Sequence, residues 1–411
     1  MTRFSVLSRV FAIAMSCAAA TSVFAQDKVT LVVSNSQWLD ALRGEALWNA
    51  VKVYEKNAPN VELKALGIPS KDYGDRLMTE IGAGEGPDIA IIQEGVFFAL
   101  ADAGLLVDVG AATEGVTLNE TRKNGIVGGQ TLGVPWQRAA YALIYNGKLT
   151  DETAGAKAPA TVDELIAGAQ AVQQKSPDSI GFTSRHQISD FSGFYMDFQS
   201  WAYGHGVNWV DSQGKLTINT PEAVAAVTAF KKMYDAKIIP VGDDMPTQRT
   251  RFKEGQVGFS IDNSGGALNI ASGGTLKSAD MYAAPLPFPN PGAHQQIYVA
   301  VNANSEHPEE ATAFLKWLVS AEGQAELRKA SGPDMLATDV PLTAEFVAAN
   351  PWAPVFADVA MKSRSVLIPG HEVETAQIMR PIMEAVEEVL ISGIDPAEAL
   401  AKAQESVDGM F

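Results

Sequence analysis

The sequence predicts an α/β fold with a mostly parallel sheet. Short strands rich in apolar and β-branched residues alternate with helical segments along the first hundred residues, an order typical of βαβ units. The chain has 411 residues, which is too long for one ordinary core, so two domains or two lobes are expected. Hydrophobic residues make up 46% and charged residues 19%, a globular rather than a disordered composition.

The first alternating units run from residue 29 to residue 103. Their strands are nearly continuous in apolar residues, as expected for parallel strands that are buried on both faces. Pro59 ends the first helix because proline cannot continue one, and Gly104 follows the last helix of this region. The predicted strands are 29–34, 61–66 and 88–92, and the predicted helices are 44–56, 73–81 and 95–103.

The rest of the chain continues with helices and three further strands. Thr161 and Glu164 match a capping box at the start of a helix. Four prolines in 285–291 and small residues in 154–160 predict loops. The predicted strands are 139–145, 257–261 and 297–301, and the predicted helices are 161–175, 220–235, 308–330 (two helices broken near Glu322-Gly323), 375–391 and a last one from Asp395.

The N-terminus has the pattern of a cleaved secretory signal. Arg3 and Arg9 are followed by an apolar stretch at 10–20, and small residues precede a cleavage site after Ala25. A membrane anchor is the alternative, but the apolar run is shorter than the roughly 20 residues that a span requires. We therefore predict a signal peptide at 1–25 and a mature protein in the periplasm.

Cys17, inside the predicted signal, is the only cysteine. Cleavage after Ala25 would leave a chain without disulfides, while lipidation of Cys17 stays open as an alternative. The formal net charge is −17, and loss of Arg3 and Arg9 makes it −19. Such an acidic chain is not expected to bind nucleic acid or anionic lipid.

No motif in the chain indicates catalysis. There is no G-x-S-x-G, Walker A or H-E-x-x-H pattern. The histidines do not have the spacing of metal ligands. We therefore expect no catalytic residues, no metal and no cofactor.

Five segments, taken in order, resemble the family 1 extracellular solute-binding proteins, and the resemblance covers nearly the whole mature chain. No single segment is very specific, but their order is. The segments are 86–89 (GPDI) with 104–108 (GLLVD), 133–135 (GVP) with 143–146 (LIYN), 252–259 (FKEGQVGF), 311–323 (ATAFLKWLVSAEG) and 395–400 (DPAEAL).

The resemblance implies a type II periplasmic-binding-protein fold: two α/β lobes joined by several crossings, with the ligand in the cleft between them. Lobe one is expected to hold 26–138 and 300–341, and lobe two 139–299 and 342–411. The implied function is to bind a carbohydrate or sugar alcohol by hinge closure and to deliver it to the transmembrane subunits of an ABC importer. A chemoreceptor is a further compatible partner, and a monomer is expected.

Sugars present hydroxyls, which need hydrogen-bonding side chains, and C–H faces, which suit aromatic rings. The predicted ligand contacts lie mostly in loops that follow strands, and several have another interpretation. Trp38 can pack on the next helix, Trp136 can pack at the hinge, and an aromatic cluster at helical spacing is more often core. The contacts are Gln37, Trp38, Gln93, Glu94, Trp136, Arg138, Tyr195, Trp201, Asn263, Gly265, His371 and Glu372.

Two alternatives for the function remain open. A polyamine or another small solute would need several carboxylates in the cleft, which Glu94, Asp262 and Glu372 can supply. A secreted carbohydrate-active enzyme would need two placed carboxylates, and nothing in the sequence marks such a pair.

Overall fold

A computed structural model describes residues 28–40, 43–151 and 158–411. The predicted signal peptide and Cys17 lie outside these residues. Within the described ranges, no helix is long and apolar enough to cross a membrane.

The described chain folds into eleven strands and sixteen α-helices, joined by loops and short 3-10 helices. The strands are β1 (Val29–Ser34), β2 (Val61–Leu66), β3 (Ile89–Gln93), β4 (Ile126–Val127), β5 (Gln130–Thr131), β6 (Val134–Asn146), β7 (Ile180–Thr183), β8 (Val257–Asn263), β9 (Met281–Ala284), β10 (Ala293–Val301) and β11 (Arg364–Ser365).

The helices lie mostly between the strands in the first half of the chain and follow one another near its end. They are α1 (Arg43–Lys52), α2 (Tyr54–Asn57), α3 (Ser70–Gly82), α4 (Glu94–Asp102), α5 (Gly147–Thr150), α6 (Val162–Lys175), α7 (Phe191–Gly204), α8 (Pro221–Asp235), α9 (Met245–Lys253), α10 (Ser264–Ala271), α11 (Pro308–Leu318), α12 (Ala321–Ser331), α13 (Ala344–Ala349), α14 (Ala353–Ala360), α15 (Thr375–Ser392) and α16 (Pro396–Asp408).

One nine-stranded sheet organises the fold. Its main path has the order β2-β1-β3-β10-β6-β8-β7, with β11 beside β10 and β9 beside β6. The pairs β1–β2, β1–β3, β7–β8 and β10–β11 are parallel. Strand β6 runs antiparallel to β8, β9 and β10, and β10 runs antiparallel to β3. The α/β prediction is confirmed.

The hydrophobic core is divided, which gives the molecule two lobes. In the first lobe, apolar residues of β1, β2 and β3 pack against α1, α11 and α12. In the second lobe, residues of β7 and β8 pack against α6, α7, α8 and α15. Strands β6 and β10 contribute to both lobes. The residue boundaries proposed from the sequence, at 138/139, 299/300 and 341/342, stay predictions.

Strand β6 begins at Val134, five residues before the predicted start at Ala139. Proline is disfavoured in a central strand, because Pro135 lacks the N–H that such a strand normally donates. The structure accommodates Pro135 because the register between β6 and β10 shifts between Ile297 and Tyr298, and such irregularities are where a sheet tolerates proline.

Two helix boundaries also differ from the predictions. The first predicted helix is divided at Val53 into α1 and α2. The break between α11 and α12 lies at Val319 and Ser320 rather than near Gly323, because the Ser320 hydroxyl accepts a hydrogen bond from the Gly323 N–H at 3.2 Å and caps α12.

Arg138 connects several segments near the junction of the lobes. Its backbone N–H donates to the Met335 carbonyl at 2.8 Å, and its Nε donates to Gln296 Oε1 at 3.0 Å. Its Nη1 forms an ion pair with Glu120 and lies 3.4 Å from the Ala360 carbonyl oxygen. The side chain is therefore held by contacts within the protein.

Replacement of Arg138 by methionine is expected to lower the free energy of unfolding by about 1–3 kcal/mol, because the buried Gln296 oxygen would lose its donor. Urea denaturation measures this change. The matched control is Lys148→Met, which removes an exposed ion pair with Asp280 and should cost no more than about 1 kcal/mol. Equal losses in the two variants would contradict this assignment.

Candidate ligand-binding site between the lobes

Three of the predicted ligand contacts meet at the carboxyl end of β1. Gln37 and Trp38 lie on the 3-10 helix Ser36–Leu39, and Gln37 Oε1 accepts a hydrogen bond from Trp136 Nε1 at 2.9 Å. The Trp38 ring packs edge-on against Trp136 at 6.1 Å and against Trp48 at 5.3 Å, measured between centroids. Trp136 is fully buried, whereas Gln37 and Trp38 are half-buried. We call Gln37, Trp38 and Trp136 the tryptophan corner.

A polar junction joins the two lobes beside this corner. Arg43, at the start of α1 in the first lobe, donates from Nη2 to Asp334 Oδ2 at 2.8 Å. The other oxygen of Asp334 accepts a hydrogen bond from the hydroxyl of Ser264, which begins α10 in the second lobe. Asp334 is fully buried, so its charge depends on these partners. Arg43 Nε is buried without a hydrogen-bond partner.

Two more Arg–Asp pairs lie in the second lobe. Arg185, directly after β7, forms a bidentate pair with Asp197 of α7, and its Nε donates to Oδ2 at 2.6 Å. Arg249 of α9 donates to both oxygens of Asp262 near the end of β8, at 2.7 Å each. Both pairs have side chains with at most 17% exposure. Together with Arg43 and Asp334 they form a network of three Arg–Asp pairs.

Electrostatic effects connect this network across the lobes. Burial favours a raised pKa for Asp262, but the charge and hydrogen bonds of Arg249 outweigh it and hold that pKa below its usual range. For Asp40, in the first lobe, burial raises the pKa against the opposing charges of Arg43 and Arg249. Arg249 belongs to the second lobe, so its effect on Asp40 places charged groups of both lobes close together.

Glycines make room for the network. A Cβ on Gly265 would lie 3.0 Å from Arg43 Nη1, and a Cβ on Gly266 would overlap the Asp262 carboxylate and Arg249. Gly265 was predicted to allow close approach of a ligand. In the structure, the group that approaches it is the Arg43 guanidinium.

Glu94 begins α4 and is 2% exposed. Its Oε1 lies 3.4 Å from the Gln296 backbone N–H, and its Oε2 has no hydrogen-bond partner. Burial raises the pKa of Glu94 to about 7, against opposing hydrogen bonds from Ser365 and Gln296. Its charge also influences the pKa of Tyr195, which places these two predicted contacts near each other.

The remaining predicted contacts are more dispersed. Gln93 is exposed, and Asn263 caps α10 by accepting from the Gly266 N–H at 2.8 Å. Trp201 is 1% exposed and packs in the second lobe's core against Phe230 and Phe288, so the structure does not bring it to the network.

His371 and Glu372 lie on a loop of the second lobe. The His371 ring packs against Phe411 at 5.8 Å between centroids, and its Nε2 lies 3.4 Å from the Gly214 carbonyl oxygen. Glu372 accepts a hydrogen bond from the Gly370 N–H at 3.0 Å. His371 therefore contacts second-lobe residues rather than the junction, whereas the charge of Glu372 raises the pKa of Glu94.

The sequence reasoning missed most of the charged network. Asp262 was named only as a carboxylate for a polyamine ligand, and Arg185 was not predicted at all. A charge at the carboxyl end of a buried strand was an available signal for both. The partners Arg43 and Asp334 are 291 residues apart, and no local pattern links them.

Tyr141 adds a hydroxyl to the site from the middle of β6. Its oxygen accepts a hydrogen bond from Gln295 Nε2 at 2.8 Å, and the charges of Asp197, Arg185 and Asp262 all influence its pKa. Aromatic rings, guanidinium groups, carboxylates and amides thus lie at the junction of the lobes and on its second-lobe side. This combination suits a ligand with many hydroxyl groups and some apolar surface.

One known protein family matches most of the chain. The family described as bacterial extracellular solute-binding protein matches residues 40–325. The chain belongs to this family. Its description locates its members outside the cytoplasm, and it describes binding proteins rather than enzymes.

Several relatives of the chain are described as binding proteins. A probable ABC transporter-binding protein of Deinococcus radiodurans is 28% identical over 222 residues, 49% of this chain and 50% of the relative. A maltotriose-binding protein of Pyrococcus abyssi is 25% identical over 283 residues, 65% and 58% of the two chains. The chain thus spans little more than half the length of the relatives it matches.

Solved structures extend the similarity over almost the whole chain. The GacH receptor of Streptomyces glaucescens has a TM-score of 0.79 at 22% identity, covering 93% of this chain and 98% of that one. Maltose-bound MalE3 of T. maritima has a TM-score of 0.80 at 21% identity, covering 93% and 100%. A ribitol complex of a solute-binding protein from Agrobacterium radiobacter has a TM-score of 0.75 at 20% identity, covering 94% and 100%. These similarities show a shared two-lobed fold.

Replacement of Glu94 by glutamine should remove a pH dependence of stability. The pKa of Glu94, about 7 in the folded protein, lies above its ordinary value of 4.5, so the folded state binds this proton more tightly than the unfolded chain. Its contribution to the free energy of unfolding is therefore present below about pH 4.5 and lost as the pH rises to about 7. Between pH 5 and pH 8 the free energy of unfolding of the variant should rise relative to that of the original protein by up to about 3 kcal/mol.

Urea denaturation across this pH range measures the difference. Glu398→Gln is the matched control, because Glu398 is exposed and paired with Lys402 on the surface of α16. Parallel pH curves for the original protein and Glu94→Gln would show that Glu94 does not titrate in this window.

Removal of one charge of the Arg185–Asp197 pair should destabilise the protein more than removal of both charges. Replacement of Arg185 by methionine leaves a buried carboxylate without its partner and is expected to cost about 3–5 kcal/mol. The double variant Arg185→Met/Asp197→Leu should recover most of that loss, because no unpaired charge remains. Chemical denaturation measures both variants, and a double variant no more stable than the single one would contradict the prediction.

Proposed function

We propose that this protein is the solute-binding subunit of an ABC importer and binds a carbohydrate or sugar alcohol between its lobes. The observation that carries the proposal is the convergence of the tryptophan corner with the three Arg–Asp pairs. Tryptophan rings suit the C–H faces of a sugar, and guanidinium and carboxylate groups suit its hydroxyls.

The related proteins support this choice of ligand class. Their names and descriptions mention maltose, maltotriose and ribitol, which are sugars or a sugar alcohol. The family's extracellular location agrees with the secretory signal predicted at residues 1–25 and with a periplasmic protein. Transmembrane importer subunits are the proposed partners, a chemoreceptor is a second one, and the protein is proposed to act as a monomer.

The proposed mechanism is hinge closure without a chemical step. A ligand that first contacts one lobe gains further contacts to the other lobe only in the closed form, and this difference shifts the population toward closure. Asp334 and Ser264 already lie at such a contact between the lobes. The ligand is released unchanged to the importer.

A thermal-shift screen of the purified protein tests the ligand class. The panel contains monosaccharides, disaccharides, sugar alcohols and polyamines. A ligand at 100 times its Kd stabilises the folded state by about 2.7 kcal/mol, so a sugar or sugar alcohol should raise the Tm. A rise with polyamines alone would contradict the carbohydrate assignment and keep a binding role, and no rise with any compound would contradict both.

Two variants locate the binding site once a ligand is found. Gln37→Ala should weaken binding by about 10-fold, because a ligand hydroxyl would lose a partner at the tryptophan corner. Gln404→Ala is the matched control, since Gln404 also accepts a hydrogen bond, from the Ile218 N–H, but lies on α16. Calorimetry measures both affinities. Equal losses in the two variants would place the ligand elsewhere.

Small-angle X-ray scattering tests closure separately. Saturating ligand should give the smaller radius of gyration of the closed form. An unchanged scattering curve, with binding confirmed by calorimetry, would rule out hinge closure.

A further inference from the structure

The side chain of Asp334 contacts both lobes from a loop of the first one. Ala330 and Leu336, on either side of this loop, pack in the core of the first lobe. One carboxylate oxygen accepts a hydrogen bond from Arg43 of the first lobe, and the other accepts one from the hydroxyl of Ser264, which begins α10 of the second lobe. We call the contact between Ser264 and Asp334 the interlobe hydrogen bond.

The loop that carries Asp334, residues 332–335, is held in place from two sides. Arg328 Nη1 donates a hydrogen bond to the Asp334 carbonyl oxygen at 2.9 Å. Arg138 of β6 and Met335 exchange two backbone hydrogen bonds, at 2.8 and 3.0 Å. The carboxylate therefore has a fixed position in the first lobe, and little conformational entropy is lost when the interlobe hydrogen bond forms.

Close packing accompanies the interlobe hydrogen bond. Gly332 has a φ of +57°, which disfavours a residue with a side chain, and a Cβ there would lie 2.8 Å from Leu268 Cδ2 of α10. Leu268 packs against a cluster that includes residues of β8 in the second lobe. Asp334 and Ser264 are at most 1% exposed, so water is excluded and the hydrogen bond is stronger than it would be at the surface.

The Ser264 hydroxyl is not required to cap its own helix. Asn263 caps α10, because its side-chain oxygen accepts a hydrogen bond from the Gly266 N–H at 2.8 Å. The Ser264 hydroxyl instead donates to a carboxylate 70 positions later in the chain. Its contact therefore concerns the relation between the lobes rather than the local structure of α10.

The interlobe hydrogen bond can break without leaving an unpaired buried charge. Arg43 and Asp334 both belong to the first lobe, so their ion pair at 2.8 Å can persist when the lobes part. Only the Ser264 hydroxyl leaves, and water can replace it at the carboxylate. Because water competes in this way, the net stabilisation by such a bond is modest even when one partner is charged. The contact therefore suits a reversible equilibrium between closed and open lobes.

We propose that the interlobe hydrogen bond favours the closed arrangement of the lobes without a ligand, with Asp334 as a positioning residue for closure. The bond then sets the fraction of molecules that are closed before a ligand binds. Under the proposed function, on which this step rests, a ligand that binds the closed form has a higher apparent affinity when that form is more populated. Loss of the Ser264 hydroxyl therefore opens the lobes and weakens ligand binding.

Pulsed electron paramagnetic resonance on protein without added ligand measures the distance between the lobes. Cys17→Ser removes the only native cysteine, and Ala325→Cys on α12 and Ala225→Cys on α8 place one spin label at an exposed position of each lobe. Ser264→Ala should raise the ratio of open to closed molecules by about 10-fold, the effect of one lost hydrogen bond. Asp334→Asn should shift the ratio less, since a neutral amide accepts more weakly.

Ser272→Ala is the matched control. The Ser272 hydroxyl donates to the Leu268 carbonyl oxygen at 2.6 Å, so its hydrogen bond stays within the second lobe. The control should leave the distance between the labels unchanged, and urea denaturation shows whether each variant is folded. Small-angle X-ray scattering gives an independent measure, in which Ser264→Ala alone should have a larger radius of gyration than the original protein.

A label distance and a radius of gyration that Ser264→Ala leaves unchanged would overturn the role of the interlobe hydrogen bond and leave the proposed function intact. An equal shift in Ser272→Ala would have the same meaning. Opening of the lobes in Ser264→Ala alone would support this role. If the lobes open in that variant but the thermal-shift screen finds no ligand, the proposed function fails and the role in closure stands.

Discussion

The antiparallel pairing of β6 with β10 is the constraint on which the rest of the structure depends. The first part of β6 pairs with β10, and the second part pairs with β8 and β9, so one strand carries backbone hydrogen bonds of both lobes. Trp136, Arg138 and Tyr141 are spaced along this strand, and Gln295 and Gln296 lie opposite on β10. The sheet therefore fixes both the junction of the lobes and the side chains that surround the candidate site.

Three buried Arg–Asp pairs are difficult to explain as devices for stability. Removal of two charges from water costs several kcal/mol per ion, and their mutual attraction often does no more than offset this cost. Well-packed apolar residues would give a similar or greater stability. Under the proposed function the pairs serve recognition, because each fixes guanidinium and carboxylate groups in a defined orientation before a ligand arrives. Preorganised groups lose less conformational entropy when they bind.

Local sequence patterns were sufficient for the fold but only partly for the site. Strands such as β1 and β3 are continuous apolar runs, and the capping oxygen of Thr161 accepts from the Glu164 N–H as predicted. The residues of the tryptophan corner could be predicted from the sequence, because loops after strands bind ligands in α/β folds. The Arg43–Asp334–Ser264 junction could not be predicted, since it depends on three segments that only tertiary structure brings together. Trp201 was predicted as a ligand contact although its helical spacing with other aromatic residues also suited the core, and its side chain packs in the core of the second lobe.

The polar atoms that remain unpartnered in the interior give a final argument about the ligand. In the described part of the chain they include the donor Arg43 Nε and the acceptors Glu94 Oε2, His186 Nε2 and Gln137 Oε1. Each costs about 1–3 kcal/mol while it has no partner, so a protein selected for stability alone would not retain several of them. Acceptors outnumber donors in this set, so a group that satisfies them must mainly supply protons for hydrogen bonds. Apolar solutes and anions offer no such protons, whereas the hydroxyl-rich ligand of the proposed function does.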